Sequence, residues 1–213
     1  GKETVSMVAG AYADSVSAVI DGYGEVHAVF ASKGYGINTS LYQIVYKKRT
    51  AGRNGQWQHR VLVTDIAYRQ IAPSVVLESD GIVGVLWCGL TASRTADDQM
   101  RFARVVSGDA QAVEELTNVA YTQGAAWFGW GHSLAIDRKK VYHAIWGGEG
   151  WGSYLTYTSI QHRARVNGTW QAQESLVDVE FDQGPWAALC APYPAAQTLP
   201  EGYMFTYENY RNA

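Results

Sequence analysis

Three stretches of this chain superpose without a gap, and a chain that repeats itself must fold into equivalent units. Ser17-Ala-Val-Ile-Asp21, Ser74-Val-Val-Leu-Glu78 and Ser133-Leu-Ala-Ile-Asp137 open the three copies. Continued in step, they reach Val26-His-Ala-Val-Phe30, Val83-Gly-Val-Leu-Trp87 and Tyr142-His-Ala-Ile-Trp146. An aromatic residue therefore stands 13 positions after the serine each time, and the serines are 57 and 59 residues apart. A period of this length marks stacked or radial architectures rather than a single layered domain.

Each copy resolves into four extended segments, A to D. They cover 15–21, 25–32, 41–50 and 56–64 in the first copy. The second gives 73–78, 82–89, 100–107 and 112–119, and the third 132–137, 141–147, 156–166 and 169–177. These segments are rich in Val, Ile, Tyr and Trp and are bounded by Gly, Asn and Asp, the pattern of strands. Short polar connections at 21–24, 79–81 and 138–140 predict tight A–B hairpins, with Asp21, Glu78 and Asp137 as turn-forming residues. Asn54-Gly55 and Asn167-Gly168 predict type I′ C–D turns, because both residues of that turn need a positive φ. The serines Ser17, Ser74 and Ser133 suit an innermost strand where space is short.

The reading is an all-β chain, a β-propeller of four-stranded antiparallel blades with three full units and a partial fourth. The units run approximately over 11–68, 69–126 and 127–181, and the partial one combines 182–213 with 1–10. Thr4-Val-Ser-Met-Val8 reads as a D strand, and 186–190 and 203–207 as an A–B pair. A ring of four blades could close through these ends, leaving one strand missing. The unpaired edge that results favours an excerpt of a larger propeller, of about six or seven blades.

Asn54-Gly-Gln-Trp57 and Asn167-Gly-Thr-Trp170 occupy the C–D turn and resemble the Asp-box of the sialidase-like (BNR repeat) propellers, Ser-x-Asp-x-Gly-x-Thr-Trp. The Ser and Asp of that motif are absent, since Ala164 and Val166 fall near their places, and the second copy lacks it. The resemblance implies a propeller fold and a structural role for Trp57 and Trp170, which would lie under their turns.

In such an architecture the A–B and C–D turns lie at one end and the longer B–C loops and D–A links at the other. The long set is where a ligand is expected. Trp127 and Trp130 on a D–A link, and Trp151 and Tyr154 on a B–C loop, could form an aromatic shelf for the apolar face of a sugar. For Trp127 and Trp130 the plainer role is to plug the gap between blades. Arg94 is a further ligand-binding candidate, with Arg69 as a second anion partner, and Glu149, Asp98 and His132 are the candidate acid–base residues, beside Asp97. A hydrolase of the sialidase type needs an arginine cluster and a carboxylate-activated tyrosine, and no such pairing can be read here. A lyase would ask for a His or Tyr base beside an Arg, parts that His132, Tyr154 and Arg94 could fill.

Composition sets the outer bounds. A net charge of −3 provides no footprint for nucleic acid. Apolar runs are too short for a membrane-spanning helix. Cys88 and Cys190 have no metal-ligand spacing, and no metal or cofactor is expected. The function that follows is recognition of a glycan or cell-surface receptor, in a module of a larger extracellular or virion-associated protein, with other chains of an assembly as further candidate partners. A glycosidase or polysaccharide lyase, or an oligomer-forming structural propeller, are the alternatives.

Overall fold

The computed structural model describes residues 13–118, 132–148, 159–177, 188–190 and 204–206. Among them there is no helix, and every strand pairing is antiparallel. The first sheet runs β1 (Ala13–Ile20), β2 (Val26–Ser32), β3 (Gln43–Arg49) and β4 (Val61–Leu62) in that order. The second follows the same order with β5 (Gln70–Ser79), β6 (Ile82–Gly89), β7 (Gln99–Val106) and β8 (Asp109–Ala110), and β9 (Glu114–Glu115) returns to β7. The third has β10 (His132–Ile136), β11 (Tyr142–Gly148), β12 (Ser159–Val166) and β13 (Thr169–Trp170), with β14 (Glu174–Val177) back on β12. β15 (Ala188–Cys190) and β16 (Met204–Thr206) form a separate pair. The sheets do not join into a closed barrel or ring among the described residues. The expected strand over 4–8 lies outside them.

The repeat governs the register. Ser17, Ser74 and Ser133 pair with Val29, Leu86 and Ile145, positions separated by the same intervals as the serines. β1 and β5 each carry a bulge with a left-handed residue, Ser15 at φ 48° and Ala72 at φ 53°. Bulges absorb Pro73, which could not otherwise sit in a paired strand. Ser17 has a role beyond small size: its hydroxyl accepts the Val75 N–H, 3.2 Å, from the first strand of the next sheet.

Fourth strands are the least regular part. Each predicted D segment is broken, so that β4 spans two residues and the second and third sheets divide the role between β8 and β9 and between β13 and β14. Asn167 and Gly168 do take φ of 50° and 83°. The Asn54-Gly55 turn differs from expectation: neither residue has positive φ, and Gly52 at 84° turns the chain instead. Gly55 lies so close to Thr50 O that a Cβ there would come within 2.0 Å. The second copy makes its turn with Ser107 and Gly108, at φ 52° and 91°.

The sheets pack face to face in chain order. The first cluster joins Val29, Ala31, Ile44, Tyr46 and Val63 to Val75, Val83, Val85, Trp87, Ala103 and Val105. A second joins Leu86, Cys88, Met100, Phe102 and Leu116 to Leu134, Tyr142, Ala144 and Trp146. Trp87 and Trp146 thus both point toward the preceding sheet. Phe30 points the same way, on the face of the first sheet that bears a third cluster with Tyr35 and Val45. Trp170 packs edge-on to Phe102 of the second sheet, ring centroids 5.3 Å apart.

Glu78 does not form a turn as Asp21 and Asp137 do. Asp21 Oδ1 accepts the N–H groups of Tyr23 and Glu25, and Asp137 Oδ1 those of Lys139 and Val141. Glu78 instead binds Arg104 through both oxygens and receives the Tyr142 hydroxyl from the third sheet. The longer side chain reaches across to the neighbouring sheet where an aspartate would curl onto its own backbone. Gly84 makes room for that tyrosine, since a Cβ there would sit 2.2 Å from Tyr142 Cε1. Gly84→Ala should therefore overpack this joint and cost about 1–3 kcal/mol, read as a lower thermal midpoint with far-UV dichroism unchanged at 20 °C or so. A midpoint equal to that of the parent would show that the tyrosine does not lie over this glycine.

Candidate functional site at the loop end of the second sheet

In an antiparallel sheet the start of β5, the end of β6 and the start of β7 lie at one end. Gln70, Gly89 and Gln99 mark that end, and they organise it. Gln70 is fully buried; its amide nitrogen donates to Arg69 O at 2.7 Å and Leu90 O at 2.9 Å. Its oxygen accepts from Trp87 Nε1 at 2.7 Å and Arg101 Nη1 at 3.2 Å. A Cβ at position 89 would meet Gln70 Oε1 at 2.2 Å, so any larger residue there would have to displace the Gln70 amide. Gln99 accepts the Thr117 hydroxyl at 2.9 Å, and that hydroxyl accepts the Met100 N–H. The first sheet repeats this clamp with Gln43, Thr64 and Ile44.

Two arginines flank these clamps, Arg69 next to Gln70 and Arg94 bonded to Asn118 beside Thr117. Arg69 Nη2 donates to Asp98 Oδ2 at 2.7 Å, with the arginine 43% exposed and the aspartate side chain 9%. Asp98 Oδ1 is buried and has no hydrogen-bond partner. Burial pushes the Asp98 carboxyl above its usual range, a shift that Arg69 opposes and Asp97 reinforces. Arg94 is half-buried, and its Nε donates to Asn118 Oδ1 at 2.9 Å while its backbone N–H caps Thr91 Oγ1 at 3.1 Å. Both guanidiniums are fixed by one polar partner and retain further N–H donors. Arg101 lies deeper, against Gln70 and 3.8 Å from Glu115, and burial lowers its pKa.

His132 stands apart from this group. Its Nδ1 is 3.9 Å from Cys88 Sγ, and burial pushes its pKa down to about 4. Asp98, Arg94 and His132 each have their own partners, and no hydrogen bond or ion pair joins them to one another among the described residues. Glu149, Trp127, Trp130, Trp151 and Tyr154 lie outside the described residues. Arg69, a supporting anion partner in the sequence reading, is paired with Asp98 and keeps 43% of its side chain exposed. The clamping residues Gln43, Gln70, Gln99, Thr64 and Thr117 had gone unremarked; the recurring signal was a Gln opening strand C and a Thr closing strand D.

Opposite lies a polar network at the A–B turns. His27 bridges Asp21 Oδ2 at 3.1 Å and the Tyr46 hydroxyl at 2.8 Å. Asp21, Glu25 and His27 bring possible ligand atoms within 4.8 Å of one another. Each is already engaged, Glu25 with Lys48 at 2.7 Å, so the cluster is explained as a hydrogen-bonded turn. The third sheet replaces the tyrosine with a histidine: His143 and His162 stack with centroids 5.3 Å apart, and His162 reaches Glu174 at 2.6 Å.

No family model matches the chain, and no curated protein matches it. Among solved structures it is similar to a protein of unknown function from Dyadobacter fermentans DSM 18053, with a TM-score of 0.57 and 13% identity. It is also similar to an N-acetylgalactosamine deacetylase from F. plautii, solved in complex with blood group B trisaccharide, with a TM-score of 0.53 and 9% identity. These matches cover 85% and 87% of this chain and 60% of each of the others. At such identities the likeness is one of fold. The chain spans about three-fifths of the length of both neighbours.

Burial lowers the pKa of His143 to about 4, with His162 adding to the effect. A histidine held neutral in the folded state stabilises it above the unfolded pKa of about 6.5, and that contribution disappears as pH falls toward 4. Thermal midpoints should fall over this window, and His143→Gln should flatten the slope by on the order of 2–3 kcal/mol across it. Equal slopes in parent and variant would mean that His143 titrates normally.

Proposed function

We propose that this chain is a glycan- or receptor-recognising module built on propeller-like sheets, with the loop end of the second sheet as part of its contact surface. The supporting arrangement is the succession of first strands, since β5 packs on β1, β10 on β5 and β15 on β10. Strands that follow one another in this manner suit blades set around an axis, with long loops gathered at one end. Placement in an extracellular or virion-associated protein is the context that such a surface fits.

The observation that carries the reading is Arg69, exposed at the loop end and oriented by a buried carboxylate. A guanidinium fixed before binding loses little freedom when a sugar hydroxyl or carboxylate accepts its N–H groups. Arg94 on Asn118 offers a second such fork. One neighbour in fold was solved with a trisaccharide bound, which agrees with a sugar ligand but does not locate its site on this chain. A hydrolytic or lyase reading rests on Asp98, whose raised pKa suits a proton donor.

A glycan array read with the fluorescently labelled chain should give selective binding. Arg69→Ala and Asp98→Asn should each weaken the best hit by about ten-fold or more, the worth of a charge-assisted hydrogen bond. Absence of any glycan above background would reject the proposal. Turnover of the bound glycan that disappears in Asp98→Asn would move the reading to the enzymatic one.

A further inference from the structure

We propose that Cys88, Met100 and His132 form a buried site for one soft monovalent metal ion, Cu(I) by chemical class, in the joint between the second and third sheets. Cys88, near the end of β6, lies directly opposite Met100 on β7, and the two sulfurs are 3.3 Å apart. His132 opens β10 on the third sheet and brings its Nδ1 to 3.9 Å from Cys88 Sγ. Cys88 carries a thiol rather than a disulfide, and both sulfur residues are fully buried. Met100 and His132 lie 12 and 44 positions from Cys88, so no ligand spacing in the sequence betrays the set.

The joint between the first and second sheets is the internal control. Counted by the repeat, Cys88 corresponds to Ala31 and His132 to Pro73. Met100 corresponds to Ile44, which pairs with Ala31 as Met100 pairs with Cys88. Ile44 also gives its N–H to the Thr64 hydroxyl as Met100 does to Thr117. Ala31, Ile44 and Pro73 are buried as well, and none of their side chains can bind an ion. Packing is satisfied by these apolar residues and does not call for three donors. In the next joint all three places carry a sulfur or an imidazole at once.

The donor chemistry selects the ion. Three ligands in a plane, with bonds of about 2.0–2.3 Å, place their donor atoms about 3.5–4.0 Å apart. The sulfur–nitrogen distance has that value, and the unbranched Met100 side chain can supply the small opening that the sulfur pair needs. Thiolate and thioether sulfur favour Cu(I) over harder divalent ions. As the metal–sulfur bond forms, the Cys88 thiol gives its proton to solvent. A thiolate and a monovalent ion then leave no net charge inside the apolar second cluster, whereas a divalent ion would leave one at a high cost in desolvation. Burial holds His132 neutral, with a pKa of about 4, and a hydrogen bond from its ring to the Ala72 carbonyl fixes its orientation, as ligating imidazoles require.

Titration of the purified chain with Cu(I), under argon and against a chromophoric Cu(I) chelator, tests this. The parent should withhold one equivalent from the chelator, and its thermal midpoint should rise when the ion is added. Met100→Leu keeps the volume of the core and should weaken retention by about ten-fold or more. His132→Gln should do the same, each with an unchanged dichroism spectrum. Cys88→Ala should abolish retention, whereas Cys190→Ala should keep the parent affinity. A parent chain that yields all its Cu(I) to the chelator overturns the inference. Retention unchanged in both Met100→Leu and His132→Gln overturns it as well, since a lone thiol would then be the ligand. Retention lost in Cys190→Ala would move the ion to that thiol, with the same consequence.

Discussion

The architecture depends on the second strand of each sheet having two apolar sides. In β6, Val83, Val85 and Trp87 enter one cluster, while Leu86 and Cys88 enter the next. A sheet built around such a strand cannot leave either face in water. Burial of a single large aliphatic or aromatic side chain is worth about 1.5–3 kcal/mol, so a row of five on one strand forces neighbours onto both sides. Stacking of sheets follows from that one strand, and the clamps, bulges and ion pairs refine its register.

Cross-sheet polar contacts then fix how one sheet sits on the next. Glu78 ties Arg104 of its own sheet to Tyr142 of the third. Arg165 forms a two-point pair with Glu114 of the second sheet, and Arg163 donates to Leu116 O. These contacts cluster where the fourth strands are short. There the irregular backbone leaves carbonyls such as Leu116 O for side chains of the adjacent sheet to reach.

Much of the sheet order was legible from the recurrence of serine and aromatic residues, because a period in sequence is a period in register. Strand D was harder to read. Its residues alternate poorly, and its path depends on clamps such as Gln99 to Thr117, which involve residues 18 positions apart. Asn54-Gly55 misled because the Arg49 guanidinium occupies the inside of that turn, donating to Thr50 O and Gly52 O. The site was only partly visible. Asp98 and Arg94 stood out as charged loop residues, but their partners are separated by 29 and 24 positions, a distance no local pattern spans. His132, a candidate acid–base group from sequence, has its Nδ1 3.9 Å from Cys88 Sγ, a neighbour 44 positions away that no local pattern reveals.

The central claim is that one sheet's front face rests on the rear face of the sheet before it, in the register that the repeat dictates. Proton–proton contacts in the isotope-labelled protein test this most directly, between the α-protons of Gly84 and the ring protons of Tyr142. A strong nuclear Overhauser effect between them is predicted, since the glycine lies under the ring. Its absence, with both resonances assigned and sharp, would contradict the stacking and the account built on it.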